Sequence, residues 1–282
     1  MSLQLPVVIV HTGNQLYLQK CIELNSLYNK VYLLGDDTNK ETHTEFTHID
    51  SLQTNEVIEF KKCFVNYSTN PSTYELNCFL RVFYVREFMR QKGFESVFHL
   101  DSDCILLEKL SEVFPHTTDL VAYSLQTNQA LNHMVGSIHN GLLTMKFCDL
   151  FIQLCFDIYK TKSKHHLIEP KIRHHTTYKI GGGICDMTLY YLLHSEGILC
   201  SIDDLNKPRM LYGEKCVFDH QISSSYGFLG NNTYVMKDGK KELIEDRGKD
   251  KTYVKTVTGE TIRLLSLHYQ GKHKKSLTVK SS

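Results

Sequence analysis

Val97-Phe-His-Leu-Asp101-Ser102-Asp103-Cys104-Ile-Leu-Leu107 is an apolar run interrupted by two carboxylates. The first four residues predict a short buried strand, and side chains two apart on a strand point the same way. We therefore expect Asp101 and Asp103 to converge just past the carboxyl end of that strand. Carboxylates this close repel each other unless a cation lies between them, and Mn²⁺ or Mg²⁺ prefers such oxygen ligands. The alternative is an ordinary polar turn after a buried strand.

The first half of the chain alternates apolar strands with helices, which predicts an α/β fold with a mostly parallel sheet flanked by helices. Ligands of such sheets bind beyond the carboxyl ends of the strands. Thr12, Asn14, Asp36 and the pair at 101–103 all follow predicted strands, which favours a ligand site. The predicted strands are Val7–Val10, Val31–Leu34, Phe46–Ile49, Val97–Leu100 and Asp119–Ala122, and the predicted helices are Gln15–Tyr28 and Tyr74–Arg90.

The second half is less regular. Helices are predicted over Phe147–Tyr159 and Met187–His194, and the basic, histidine-rich stretch 161–179 between them is either a disordered loop or a mobile lid over an anionic ligand. We favour the disordered loop. Short strands after residue 210 predict a small antiparallel C-terminal addition; they are Tyr234–Met236, Tyr253–Val257 and Ile262–Leu265. We expect one domain over 1–282, with a nucleotide-binding half (1–125) and an acceptor-binding half with a C-terminal metal and phosphate segment (126–282).

Composition restricts the class of protein. The 282 residues are 41% hydrophobic and 22% charged with a formal charge of +1, so nothing suggests a nucleic-acid partner. Nine cysteines without a Cys-x-x-Cys pair indicate reduced thiols. No apolar run approaches the roughly 18 residues of a membrane span. We expect a cytoplasmic protein, and the basic ending Lys272–Lys280 is either a solvated tail, which we favour, or a weak contact with the inner face of a membrane.

Five segments in order resemble the nucleotide-sugar glycosyltransferases of the GT-A fold, closest to the glycogenin-like and lipopolysaccharide-galactosyltransferase-like branch. The first is the strand that ends in the two carboxylates, and the second is a basic residue on the helix before it. The remaining three are an Asn-Gly segment, an Asp-x-x-Leu segment and a C-terminal His-x-x-Gly-x-x-Lys pattern. In this chain they are Asp101-Ser-Asp103, Arg81, Asn140-Gly141, Asp186-Met-Thr-Leu189 and His268-Tyr-Gln-Gly271-Lys-His-Lys274.

The resemblance implies a metal site and a diphosphate site. His268 would be a third metal ligand beside Asp101 and Asp103, while Gly271 and Lys274 would approach the phosphates. An imidazole beside two carboxylates suits Mn²⁺ better than Mg²⁺, so manganese is the expected ion.

The resemblance also implies a sugar site. Arg81 would contact the donor, Asn140 would border the donor sugar, and Asp186 would face the reacting sugar, unless Asp186 is only a helix cap.

Residues after the first two strands are expected to bind the nucleoside. Thr12 and Asn14 follow the first strand, and the ring of Tyr17 can stack on uracil. Asp36 can accept hydrogen bonds from the base or the ribose, or it simply belongs to a turn. Ser102, between the two carboxylates, is assigned to the donor site as well.

The expected activity is metal-dependent transfer of a sugar from a nucleoside diphosphate donor, a UDP-sugar, to a glycan, lipid-linked glycan, protein or other hydroxyl acceptor. The family pattern favours retention of the anomeric configuration. The alternative is inversion, with Asp186 as general base. A sugar nucleotidyltransferase and a non-catalytic carbohydrate-binding protein are further alternatives; the former would carry a Gly-rich, basic signature after the first strand, which His11-Thr-Gly-Asn14 lacks.

Overall fold

The computed structural model describes residues 5–115, 119–126, 129–130, 132–246, 248 and 250–277. The strands are β1 (Val7–Val10), β2 (Val31–Gly35), β3 (Phe46–His48), β4 (Ser96–Leu100), β5 (Cys104–Leu106), β6 (Ala122–Leu125), β7 (Gly136–Thr144), β8 (Asp203–Asp204), β9 (Arg209–Leu211), β10 (Glu214–Val217), β11 (Met236–Lys237), β12 (Lys240–Lys241), β13 (Leu243–Asp246), β14 (Lys251–Lys255), β15 (Thr261–Leu264) and β16 (Ser266–His268). The α-helices are α1 (Leu16–Asn25), α2 (Asn55–Cys63), α3 (Ser72–Lys92), α4 (Leu110–Val113), α5 (Met145–Tyr159), α6 (Glu169–Tyr178) and α7 (Asp186–Ser195). Short 3-10 helices cover Lys40–Thr42, Ile49–Leu52, His165–Leu167 and Gly271–Leu277.

The central sheet has seven strands in the order β3-β2-β1-β4-β7-β6-β8. Strands β1 to β4 pair in parallel, β7 runs antiparallel to both β4 and β6, and β8 is parallel to β6. All strands except β7 therefore point the same way, which confirms the predicted α/β class. The apolar run of β1 is the pattern of a parallel strand covered on both faces.

Each face of the sheet carries its own hydrophobic core. Helices α3, α5 and α7 pack on one face, with rings such as Phe79, Phe147 and Tyr190 fully buried. Helix α1 and the 3-10 helix at Gly271–Leu277 contribute to the core on the other face. Because both faces of the sheet are covered by buried side chains, the polar groups at its carboxyl edge are attached to a well-packed sheet.

The C-terminal part forms the predicted antiparallel addition. Its sheet has the order β13-β14-β15-β10-β9, in which only β10 and β15 pair in parallel. Strand β16 leaves this sheet and pairs antiparallel with β5, placing His268 opposite Cys104. This pairing brings the segment that contains His268 to the carboxyl edge of β4.

Helix α3 is the predicted long helix, slightly extended at both ends. Gly93 ends it in a left-handed conformation (φ 69°), which an L side chain adopts only with strain, and Arg90 and Lys92 complement the helix dipole in its last turn. Phe79, Leu80, Phe83 and Phe88 on this helix are buried.

The interpretation of 161–179 as a disordered loop is wrong. The segment folds into the 3-10 helix His165–Leu167 and helix α6, with Pro170 in the first turn. Two buried anchors explain the order: Ile168 is fully buried, and Lys171 donates hydrogen bonds to the carbonyl of His133 (2.8 Å) and the hydroxyl of Thr188 (3.0 Å).

Two other boundaries differ. The strand predicted over Asp119–Ala122 is β6, which begins at Ala122 because its pairing with β7 buries all four of its residues. Helix α1 ends at Asn25, where the buried amide donates to the carbonyls of Cys21 (2.8 Å) and Cys104 (2.9 Å). Among the described helices, none has the length and apolar character that crossing a bilayer requires. The division into halves near residue 125 stays a prediction.

Candidate active site

Two adjoining cavities lie at the carboxyl edge of the central sheet. The β1 cavity, of about 300 Å³, lies beyond β1 and is lined by Thr12 and Tyr17 among others. The β16 cavity, of about 380 Å³, includes Asp186, His268 and Gly271. The residues that line both are Tyr74, Cys78, Arg81, Asp101, Asp103 and Lys274.

Asp103 is the point where the turn after β4 meets the segment that contains His268 and Lys274. One carboxylate oxygen lies 3.5 Å from His268 Nε2, and the other lies 3.1 Å from the ammonium of Lys274. Burial acts to raise the pKa of Asp103, but the hydrogen bonds and charges of His268 and Lys274 outweigh it and lower the pKa to about 2. Asp103 is therefore a fixed anion at the edge of the sheet.

His268 is held in one orientation by its surroundings. Its Nδ1–H donates to the carbonyl of His220 (2.6 Å), which leaves Nε2 facing Asp103. Its backbone N–H donates to the carboxylate of Asp219 (3.0 Å), and its ring stacks on His139 with 4.5 Å between centroids. A histidine oriented through its second nitrogen in this way is typical of a metal ligand.

Asp219 in turn is held in place by buried contacts of its own. Its carboxylate forms an ion pair with Lys241, and both side chains are almost completely buried. Its backbone N–H donates to the hydroxyl of Ser266 (3.1 Å). These contacts fix strand β16, and with it His268.

Arg81 joins two further carboxylates. From helix α3 its Nη1 donates to Asp101 and its Nη2 to Asp186, each at 2.6 Å. Burial acts to lower the pKa of Arg81, but the two carboxylates raise it well above its usual value. The guanidinium therefore stays charged and holds Asp101 and Asp186, both of which line the β16 cavity.

The donor atoms fit a divalent cation at Asp103 and His268. These two side chains and Cys104 offer ligand atoms that all lie within 4.8 Å of one another. Burial and the nearby Asp103 and Asp101 raise the pKa of the Cys104 thiol and keep it protonated, so the carboxylate and the imidazole are the natural ligands. Asp101 lies outside this group and bonds Arg81, so its assignment as a ligand stays a prediction.

Of the residues predicted to bind the nucleoside, Thr12, Tyr17 and Ser102 line the β1 cavity, whereas Asn14 and Asp36 do not. The Lys274 ammonium lies 5.1 Å from the centre of the Tyr17 ring. The Ser102 hydroxyl is hydrogen-bonded to His11 Nδ1 (2.8 Å). Asp36 accepts from the backbone of Gly13 (2.9 Å) and so shapes the turn after β1.

Of three further predicted residues, Asn14 and Asn140 are not among those that line the β1 and β16 cavities, and Gly271 is. Asn14 is exposed on the turn that follows Gly13. Gly271, in a left-handed conformation (φ 63°), lines the β16 cavity as the C-terminal pattern suggested. Asn140 is fully buried on β7, and its amide donates to the carbonyl of Asp219 (3.3 Å) and the hydroxyl of Ser266 (3.2 Å). Asn140 thus braces the base of the site.

Sequence reasoning missed the groups behind His268. These groups come from three separate segments of the chain, which contain His139, the adjacent Asp219 and His220, and Lys241. The segments meet only through the pairing of β16 with β5 and the packing of β7. The single signal was their residue type, since histidines and charged residues in otherwise apolar segments are rarely buried without a partner.

Comparison with known proteins gave matches among solved structures alone. No protein-family model matches the chain, and no curated protein matches it. Mouse xyloside xylosyltransferase 1 is similar at 11% identity, with 71% of this chain and 84% of that chain covered and a TM-score of 0.45. An active-site mutant of LgtC has 10% identity, 95% and 88% coverage and a TM-score of 0.46. A glycosyltransferase involved in glycosylation of the major capsid of PBCV-1 has 8% identity, 98% and 99% coverage and a TM-score of 0.44. Because these scores are low, we argue function from the site itself.

Proposed function

We propose that this chain is a metal-dependent glycosyltransferase that moves a sugar from a nucleoside diphosphate donor, a UDP-sugar, to a hydroxyl of a glycan, a lipid-linked glycan or a protein. The observation that carries the proposal is the meeting of Asp103 with His268 and Lys274. An anion, an oriented imidazole and an ammonium at the edge of a parallel sheet form a site for a metal and a diphosphate.

The metal would be held by Asp103 and His268, with Asp101 as the further predicted ligand, and Mn²⁺ suits this set better than Mg²⁺. When bound, the ion neutralises charge on the diphosphate leaving group. Lys274 adds a positive charge at the same place, and its ammonium is free to exchange Asp103 for a phosphate oxygen. The backbone N–H of Gly271 is the second predicted phosphate contact.

The nucleoside would occupy the β1 cavity. The ring of Tyr17 offers a stacking surface for a base, with Lys274 between it and Asp103. Thr12 and Ser102 line the same cavity and offer hydroxyls, while Asp36 keeps the turn after β1 in shape. This order leads from base to phosphates to the β16 cavity, where the donor sugar would lie.

Asp186 supports retention of configuration over inversion. Its Oδ2 accepts hydrogen bonds from Arg81 (2.6 Å) and from the hydroxyl of Tyr190 (3.2 Å), and its Oδ1 accepts from the N–H of Met187 (2.9 Å). A carboxylate bonded in this way is well placed to stabilise positive charge on the sugar but poorly placed to take a proton. The acceptor proton would then go to the leaving phosphate on the same face.

The proposal is tested by incubating the protein with a panel of nucleotide sugars and Mn²⁺ and measuring the released nucleoside diphosphate. We expect slow hydrolysis of one uridine donor that stops with EDTA and returns with Mn²⁺. Asp103→Asn and His268→Ala should abolish it, while His194→Ala, on the exposed face of α7, should not. Full activity of Asp103→Asn and His268→Ala would contradict the proposal.

A further inference from the structure

A third cavity, of about 480 Å³, lies beside helix α6 and is the largest of the three. We propose that this α6 cavity binds the acceptor, and that the part of the acceptor it holds is a neutral sugar ring. This inference rests on the proposed glycosyl transfer and names the acceptor class for it. The lining residues that carry the argument are Asn70, Glu75, Val135, Lys171, Ile180 and Met187.

The α6 cavity opens towards the reaction site. Asn70, Glu75, Cys185 and Met187 line both this cavity and the β16 cavity. Asp186 lies between the last two of them in the chain, at the first turn of α7. A sugar in the α6 cavity therefore has a direct route for one hydroxyl to the carboxylate that would face the donor sugar.

Neither Lys171 nor Glu75, the two charged side chains of the wall, favours an anionic ligand, and the histidines of the wall are His133, His174 and His175. Lys171 is buried, and its ammonium already donates to the carbonyls of His133 (2.8 Å) and Met134 (3.3 Å) and to the hydroxyl of Thr188 (3.0 Å). An ammonium has three N–H donors, so Lys171 has none left for a ligand. The carboxylate of Glu75, also in the wall, would repel an anion.

The remaining groups suit a sugar ring. Ile180 and Met187 are large apolar side chains that are 43% and 37% exposed, and they offer a surface to the apolar face of a pyranose. Glu75 accepts a hydrogen bond from the amide of Asn70 (2.7 Å), and both can bond sugar hydroxyls. Apolar walls with a few polar groups are typical of small-molecule sites of this size.

The wall is built in advance of any ligand. Thr69 N donates to the carbonyl of Gly182 (3.0 Å), and Gly182 N donates to the Thr69 hydroxyl (2.8 Å). At Gly183 (φ 141°) a Cβ would lie 2.2 Å from the Tyr67 carbonyl oxygen, so only glycine permits this approach. A fixed wall lowers the entropy lost on binding.

Ligand-observed NMR without donor tests the cavity directly. The probes are p-nitrophenyl glycosides of galactose, glucose and N-acetylglucosamine, with p-nitrophenyl glucuronide and glucose 6-phosphate as charged counterparts. We expect a neutral glycoside to bind, and Ile180→Ala to raise its Kd about tenfold because half-exposed methyl and methylene groups lose their contact with the ring. Ile244→Ala, at 42% exposure on β13, is the matched control and should leave the Kd unchanged.

Two outcomes overturn the inference: binding only of the charged probes or of none, and a neutral-glycoside Kd that is equal in Ile180→Ala and the natural protein. Donor hydrolysis is measured in parallel on the natural protein. Its absence with every metal would refute the proposed transfer, whereas loss of glycoside binding with hydrolysis intact would refute only the α6 cavity.

Discussion

Replacing Lys241 by methionine should lower the free energy of unfolding, because it removes the buried partner of Asp219. The Lys241 and Asp219 side chains are 1% and 0% exposed, so the substitution leaves a buried carboxylate without its counter-charge. Breaking such a pair costs about 3–5 kcal/mol. A domain has a free energy of unfolding of roughly 5–15 kcal/mol, so this loss is a large fraction of it.

Substitution of the partner residue Asp219 should lower the free energy of unfolding by less than Lys241→Met does. Asp219→Asn keeps an oxygen that can accept the backbone N–H of His268, and the Lys241 ammonium retains the ring of Tyr234, whose centre lies 4.3 Å away. A desolvated cation on an aromatic ring is worth about 2 kcal/mol. In the double variant no buried charge is left unpaired, so its loss should fall below the sum of the two single losses by about 1–3 kcal/mol.

The assay is urea unfolding followed by far-UV circular dichroism, because the chain has no tryptophan. The control is Lys251→Met, which removes a partner of Glu214 whose side chain is 23% exposed and should lower the free energy of unfolding by under about 1 kcal/mol. A loss below about 1 kcal/mol for Lys241→Met, or strict additivity in the double variant, would refute the role given to this ion pair.

Three other expectations follow from the site and the cysteines. Lys274→Ala should weaken UDP binding in Mn²⁺ about tenfold or more, because a hydrogen bond to a charged group is worth about 1.5–3 kcal/mol. Calorimetry measures this binding, and the control Lys272→Ala, at an exposed position, should leave it unchanged. Asp186→Asn should lower the turnover number about 10²–10³-fold with UDP affinity retained, and NMR of the product should show the donor's anomeric configuration; an inverted product would contradict the role assigned to Asp186. Of the nine free cysteines only Cys200 is exposed, while Cys63, Cys78 and Cys185 are partly buried and the other five are buried. One thiol should therefore react fastest with Ellman's reagent, and Cys200→Ser should remove that phase; several equally fast thiols would contradict this expectation.

The strands that form the parallel half of the sheet could be predicted because they are continuous apolar runs that are followed by turn residues. Strand β7 was missed since His139, Asn140 and Gly141 break its apolar pattern, although they are buried in the centre of the sheet between β4 and β6. Helix α6 was misread because its many charges hide the two buried anchors that hold it.

The grouping of the site's side chains at the carboxyl edge of the sheet could be predicted where the local spacing of residues determines it. The carboxylates follow one strand, and the spacing of His268, Gly271 and Lys274 places all three on one short segment after β15. The support behind them could not be predicted, because Asp219 and Lys241 come from different segments and meet only in the folded chain.

A crystal of the protein grown with MnCl₂ and UDP, with anomalous data collected at the manganese edge, tests the central claim most directly. We expect an anomalous peak coordinated by the Asp103 carboxylate and His268 Nε2, with the UDP phosphates beside Lys274. Well-ordered UDP without that peak, or a peak that neither Asp103 nor His268 contacts, would contradict the account.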